Sequence, residues 1–158
     1  MPSTPVTRAL DAAGVAYTLH LHNHPVTSLE QAASERGLRP GQIVRSLVFR
    51  SEDGSFLIVL APGPQQVSWP KLRRHLRVSR LTTATPEEVQ RVTGYPPGAV
   101  SPLGLATAVR ILADQTLRQE QTVSIGAGIR DAGVVLQTED LLRLVRPEMG
   151  DFLEISNP

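Results

Sequence analysis

Apolar residues recur along this chain with two different periods, and turn-forming residues mark where one period gives way to the other. Val6, Ala9, Leu10 and Ala13 fall on one face at helical spacing. Thr4 and Pro5 in front supply a side-chain cap and a first-turn proline, and Gly14 behind supplies a stop, so a helix is predicted between them. Residues 15–22 alternate in the manner of a strand. Ser28, with Gln31 three residues on, is a capping-box pattern for a short helix that ends at Gly37. Residues 44–50 and 56–61 are apolar runs separated by Ser51-Glu52-Asp53-Gly54-Ser55, whose Asp-Gly pair predicts a tight reversal and a hairpin.

The second half continues in the same mixture. Residues 68–75 are predicted helical and 78–81 a short strand, and Thr85-Pro86-Glu87-Glu88 opens a capped helix that stops at Gly94. Strands are predicted at 109–113, 123–126 and 134–137. Thr138 is predicted to cap a helix closed by Pro147, and 152–155 to add an edge strand. Several connections are too short for helical crossovers, which predicts an α/β (α+β) fold with a mixed sheet rather than a doubly wound parallel one.

Composition narrows the chemistry. A chain of 158 residues, 41% hydrophobic and 20% charged, reads as one domain over 1–158 with a sizeable core. No apolar run approaches the roughly 20 residues that cross a bilayer, and the amino terminus lacks the pattern of a secretory signal, so a cytoplasmic protein without membrane contact is expected. The absence of cysteine removes thiol nucleophiles, disulfides and sulfur-ligated zinc. The net charge of +1 is too small to attract polyanions globally, so any nucleic-acid contact must come from local clustering.

One segment can be neither helix nor central strand. Residues 94–104 read Gly-Tyr-Pro-Pro-Gly-Ala-Val-Ser-Pro-Leu-Gly. Prolines stiffen the backbone and glycines open conformations closed to other residues, so a rigid loop with exposed amides is predicted. An ester carbonyl gains negative charge as water attacks it, and fixed donors near Gly98, Ala99 and Val100 would stabilise that charge without side-chain chemistry. A purely structural loop is the alternative.

Thr93 through Gly104 closely resembles the signature of the YbaK and prolyl-tRNA editing-domain family. Supporting features are the His-rich strand, Gln42-Ile43-Val44-Arg45-Ser46-Leu47-Val48, the turn Gly126-Ala127-Gly128 and the helix from Thr138. The resemblance implies a mixed, partly barrel-like sheet with flanking helices and a free-standing, cofactor-independent deacylase that hydrolyses mischarged aminoacyl-tRNA. A synthetase is a possible associate. It implies that Gly98 positions the ester carbonyl, that Ser101, Pro102 and Gly104 shape the loop in the catalytic region, and that substrate groups such as the ribose hydroxyl assist the attack. Ala99, Val100, Gly126 and Gly128 would border the substrate, with His24 and Thr27 shaping the amino-acid pocket. The family carries a lysine where Arg45 stands; arginine keeps the charge and offers a planar fork for phosphate, but cannot act as a general base. Asp131, near the glycine turn, receives no role.

Two further patterns compete for attention. His20, His22 and His24 alternate on one strand and could face one side, as in a metal-dependent hydrolase. Lys71, Arg73 and Arg74 begin the only dense basic stretch, which either follows an RNA backbone or is a solvated helix face. A non-catalytic tRNA- or aminoacyl-binding module is the remaining alternative. Neither a phosphate-binding Gly-Lys-Ser/Thr loop nor a Gly-x-Ser-x-Gly elbow is present.

Overall fold

The computed structural model describes residues 2–155. Helix α1 (Pro5–Ala13) is capped as its sequence dictates: the Thr4 hydroxyl accepts the Thr7 amide, the Thr7 hydroxyl accepts the Thr4 amide, and Gly14 closes the helix in the left-handed region. Val6 and Leu10 are fully buried, each gaining about 1.5–3 kcal/mol from leaving water. Ala13, expected to face inward, is exposed, because the helix is already turning away at its last residue.

The chain continues through β1 (Tyr17–Leu21), α2 (Leu29–Arg36), β2 (Val44–Ser51), β3 (Phe56–Pro62), α3 (Trp69–Leu76), β4 (Leu81–Thr83) and α4 (Pro86–Thr93). It ends with β5 (Arg110–Asp114), β6 (Thr122–Gly126), β7 (Ala132–Gln137), α5 (Thr138–Val145) and β8 (Glu148–Gly150). The fold is mixed α/β, with its strands divided between two sheets rather than joined in one barrel. One sheet is antiparallel in the order β1-β7-β6; the other runs β4-β2-β3-β5-β8, with β3–β5 and β5–β8 parallel. Among the described residues a single bridge, Ile43 to Ser124, joins them. The larger core cluster lies between the sheets and under α1 and α5. The smaller one, around Leu72 and Phe152, lies under α3.

Three further local expectations fail. Val78 is not in a strand: its amide bonds the Arg73 carbonyl in the turn that ends α3, so β4 begins only at Leu81. Thr138 does not cap α5 but is its first residue, and its buried hydroxyl has no partner among the described residues. The last strand is β8 rather than 152–155, where only Leu153 pairs, with Val67. The Asp114 carboxylate accepts the Phe152 amide at 2.8 Å and so fixes where the chain leaves β8.

β2 leaves an edge open. β4 pairs only with Phe49 to Ser51, so among the described residues the first half of β2 has β3 on one side and no strand paired on the other. Beyond the Ile43–Ser124 bridge, β2 and β6 both line the same cleft.

Candidate active site

The loop between α4 and β5 is held shut from inside. Tyr95 is buried, and its hydroxyl sits 2.5 Å from the Leu103 carbonyl and 3.0 Å from that of Gly104, donating across both. Burial pushes its phenol up to about 12, so it remains a donor at any working pH. Within this frame the Ala99 amide bonds the Pro96 carbonyl at 3.1 Å. Pro97 and Gly98 occupy the two central positions, and Gly98 has φ +87°, as the third residue of a type II turn requires. The amides of Gly98 and Val100 reach no acceptor among the described residues. Both residues line the cleft.

Ser101 is a correction. Expected to shape the loop in the catalytic region, it has its hydroxyl fully buried, where it accepts the Leu103 amide at 3.2 Å, so it staples the loop from inside and is not a reacting group lining the cleft. Pro102 and Ala99 are likewise buried behind the loop, outside the cleft lining. Gly104 sits against α1, where any side chain would begin 2.6 Å from the Pro5 carbonyl oxygen.

Behind the loop runs the end of β6. A side chain at Gly126 would place its first carbon 2.1 Å from the Val100 carbonyl oxygen, so only glycine lets the strand pass. The Gly128 amide bonds the Ala99 carbonyl at 3.1 Å, and the Ala127 carbonyl accepts the Thr4 hydroxyl at 2.8 Å. Gly126 lines the cleft; Gly128 lies behind it, against the Tyr95 ring.

The cleft has a volume of about 520 Å³ and is bordered by α2, the first half of β2, the 97–100 turn and β6. Arg45 contributes from β2. Its Nε donates to the Gly63 carbonyl at 2.7 Å and its Nη2 to the Gln65 carbonyl, so the guanidinium is anchored to the loop after β3. Burial lowers its pKa from the ordinary arginine value. Anchored through two nitrogens, the guanidinium is a fixed rather than freely swinging charge on a residue that lines the cleft.

His24 and Thr27 lie at the rim. The Asp131 carboxylate accepts the Val26 amide at 2.9 Å, and Val26 lines the cleft in their place. The Thr27 amide and hydroxyl both bond the Gln31 side chain, at 2.8 and 2.9 Å, and serve the start of α2. His24 is exposed and lies 3.2 Å from Glu35. Nor do the three histidines form a donor set. His22 accepts the Arg36 Nε–H on Nε2 at 3.1 Å, so its Nδ1 carries the proton and donates to Glu35 at 2.7 Å. No three His, Asp or Glu side chains are grouped for a metal among the described residues.

Sequence reasoning missed Arg36. At the end of α2 it reads as a solvated residue complementing the helix dipole. Instead its guanidinium turns into the cleft, with Nη1 donating to the buried Ser124 hydroxyl at 2.9 Å and Nη2 to the Ala132 carbonyl at 3.2 Å. Gly133 makes room: a side chain there would begin 2.3 Å from the guanidinium carbon. The available signal was a glycine inside the β7 pattern, which marks close approach by another group.

The basic stretch stands elsewhere, on α3 above the smaller core cluster, and contributes nothing to the cleft lining. Lys71 is tied down by Asp151 and the Leu153 carbonyl, both at 2.9 Å. Arg73 and Arg74 have no acidic partner within ion-pair distance among the described residues. No described helix is long and apolar enough to cross a membrane.

Comparison with known proteins gives a consistent result. A sequence profile described as an aminoacyl-tRNA editing domain matches residues 23–144. The prolyl-tRNA ligase of Bacillus licheniformis is 30% identical over 125 residues, covering 79% of this chain and 22% of the ligase; that of Thermotoga neapolitana is 33% identical over 110 residues. The chain thus spans about a fifth of the length of these ligases. The multifunctional Ser/Thr-tRNA deacylase ProXp-y of Escherichia coli is 29% identical over 82% of this chain and 80% of its own length. A crystal structure described as a candidate trans-editing enzyme for prolyl tRNA synthetase superposes with a TM-score of 0.86 at 30% identity, covering 98% of this chain and all of that one.

Proposed function

Because the chain belongs to the aminoacyl-tRNA editing domain family, we propose that it hydrolyses the ester of mischarged aminoacyl-tRNA, acting in trans in the cytoplasm. The similarity to a candidate trans-editing enzyme over its whole length supports action apart from a synthetase, and the ligase relatives make a synthetase the natural associate. The observation that carries the chemistry is the pair of loop amides, Gly98 and Val100, left without acceptors on a stiffened turn at the cleft wall.

The ester carbonyl oxygen takes those amides as donors. Water adds to the carbonyl carbon, the carbonyl electron pair moves to oxygen, and the amides stabilise the resulting oxyanion. Collapse reforms the carbonyl and breaks the bond to the ribose oxygen, which takes up a proton while the free amino acid leaves. The neighbouring ribose hydroxyl assists water by relaying its proton. Aminoacyl esters are already reactive, so positioning and carbonyl stabilisation suffice without a side-chain nucleophile. Arg45, fixed by two carbonyls, donates from Nη1 to the terminal nucleotide's phosphate or ribose.

The test is deacylation across a panel of mischarged tRNAs. Release of amino acid from at least one is expected. Arg45→Ala should raise KM by about tenfold or more with a smaller change in kcat, as loss of uniform binding does. Binding of charged tRNA with no release from any member of the panel would refute the proposal.

A further inference from the structure

The deacylase reading leaves two polar groups in the cleft unexplained. The first is Arg36. A guanidinium has five N–H donors, and three are engaged by His22, Ser124 and Ala132. All three acceptors are uncharged, since His22 meets Arg36 through its neutral nitrogen. Among the described residues Arg36 has no carboxylate within ion-pair distance: Glu35 bonds His22 and His24 instead. The second group is the Ser46 hydroxyl, buried and without a partner among the described residues, which lines the same cleft from β2. Around them the wall is apolar, built from side chains such as Leu29, Ala32 and Val44. The half-buried guanidinium brings unengaged N–H donors to an apolar pocket whose wall also holds the partnerless Ser46 hydroxyl, and a ligand group that both accepts and donates would satisfy the two.

Resting on the deacylase reading, we infer that Arg36 is a specificity-determining residue that reads a hydroxyl on the side chain of the amino acid being removed, with Ser46 as the second partner of that hydroxyl.

The geometry supports this placement. Ser124, which fixes Arg36, stands two residues before Gly126 on β6, and Gly126 lies against Val100 of the carbonyl-holding turn. Two residues along a strand span about 6.7 Å. A hydrogen bond of about 2.9 Å plus a few ångströms from carbonyl carbon to side-chain oxygen fills that span. A serine or threonine ester held at the turn therefore brings its hydroxyl to Arg36, and an alanine or valine ester leaves the donors facing a methyl group. Gly133 is part of the same device, because any side chain there would occupy the guanidinium's place.

The experiment compares single-turnover deacylation of tRNA charged with serine against alanine, and with threonine against valine, with aspartate as a fifth substrate. The expected preference for the hydroxyl-bearing member of each pair is about tenfold or more, as for sites built to bond a substrate hydroxyl. In Arg36→Leu the ratio should fall to about threefold or less whatever the absolute rates. Arg36→Lys, which keeps the charge but loses the planar fork, should also lower it and guards against failure of the leucine variant to fold. A fall in rate that is equal for all esters would mean a structural role only and would overturn the inference, as would the lack of a preference in the unaltered protein. Fastest release of aspartate would assign Arg36 to a carboxylate instead. Calorimetric binding of 3′-deoxy-3′-(serylamino)adenosine against its alanyl counterpart separates the two layers. A seryl preference in binding with no hydrolysis of any ester would sink the deacylase reading and keep the role of Arg36; equal binding would overturn that role.

Discussion

Gly126→Ala adds one carbon where the structure has no space for it. The new atom would lie 2.1 Å from the Val100 carbonyl oxygen, 2.8 Å from its carbon and 3.1 Å from the Ala99 oxygen. Carbon and oxygen approach comfortably to about 3.3 Å, so the strand and the turn must separate by roughly 1.2 Å. All three obstructing atoms are backbone, and the turn is braced by Tyr95, so no flexible side chain can absorb the shift. Overpacking of this kind costs about 1–3 kcal/mol, or a fall in Tm of roughly 2–12 °C for a chain of this size. The functional effect should be larger. Moving the amides of Gly98 and Val100 by about an ångström from the ester carbonyl should lower the single-turnover deacylation rate by up to roughly a hundredfold. Gly41→Ala is the control, since its added carbon meets only Glu120, at 3.5 Å. Deacylation and melting of both variants would be measured side by side. A Gly126→Ala protein that melts and deacylates like Gly41→Ala would refute the claim that this strand sets the position of the turn.

Tyr95→Phe leaves the Leu103 and Gly104 carbonyls without their donor and should cost about 1–3 kcal/mol by chemical denaturation; unchanged stability would show that the hydroxyl does not close the loop. The Arg110 guanidinium, with help from His75, holds the Glu148 carboxyl down to about 2, below its ordinary 4.5. Its stabilising contribution is therefore complete above about pH 4.5 and is lost as pH falls toward 2. Because the pair is largely exposed, the effect should stay near or below about 1 kcal/mol, and Glu148→Gln should flatten the urea midpoint between pH 5 and about 2.5. An identical acid slope in both proteins would count against it. Neutralising Arg73 and Arg74 together should weaken tRNA binding alike for all tRNA species and reduce the salt slope by roughly 2; an unchanged slope would leave α3 as a solvated face.

Local signals carried most of the secondary structure. Thr4 with Gly14, Ser28 with Gly37, and Thr85 with Gly94 each bracket a helix by their own hydrogen bonds and left-handed stops. The Asp-Gly reversal produced the β2–β3 hairpin, and the proline-glycine segment produced the stiff turn. Long-range pairing was not legible in the same way. The division into two sheets and the parallel contacts of β5 depend on which edges meet, and alternation along a strand says only which side chains share a face. The proline-glycine loop and the β6 glycine were readable as cleft residues, since Gly98, Val100 and Gly126 all line it. Side-chain direction had no such local signal. Ser101 turns inward, His24 and Thr27 stay at the rim, and Arg36 turns into the cleft instead of into solvent. Arg45 stood at the cleft as expected, but its anchoring on the Gly63 and Gln65 carbonyls is a tertiary fact that no spacing along the chain encodes.

Thr4 and Pro5 lie outside residues 23–144, the segment that matches the family profile, yet the Thr4 hydroxyl holds the Ala127 carbonyl and the Pro5 carbonyl closes over Gly104. The first helical turn is thus a brace for the loop that borders the cleft. An excised version trimmed to the matched segment would keep the residues that line the cleft and lose the scaffolding that keeps them still, so grafting this cleft into a chimera means carrying the opening helix along with it.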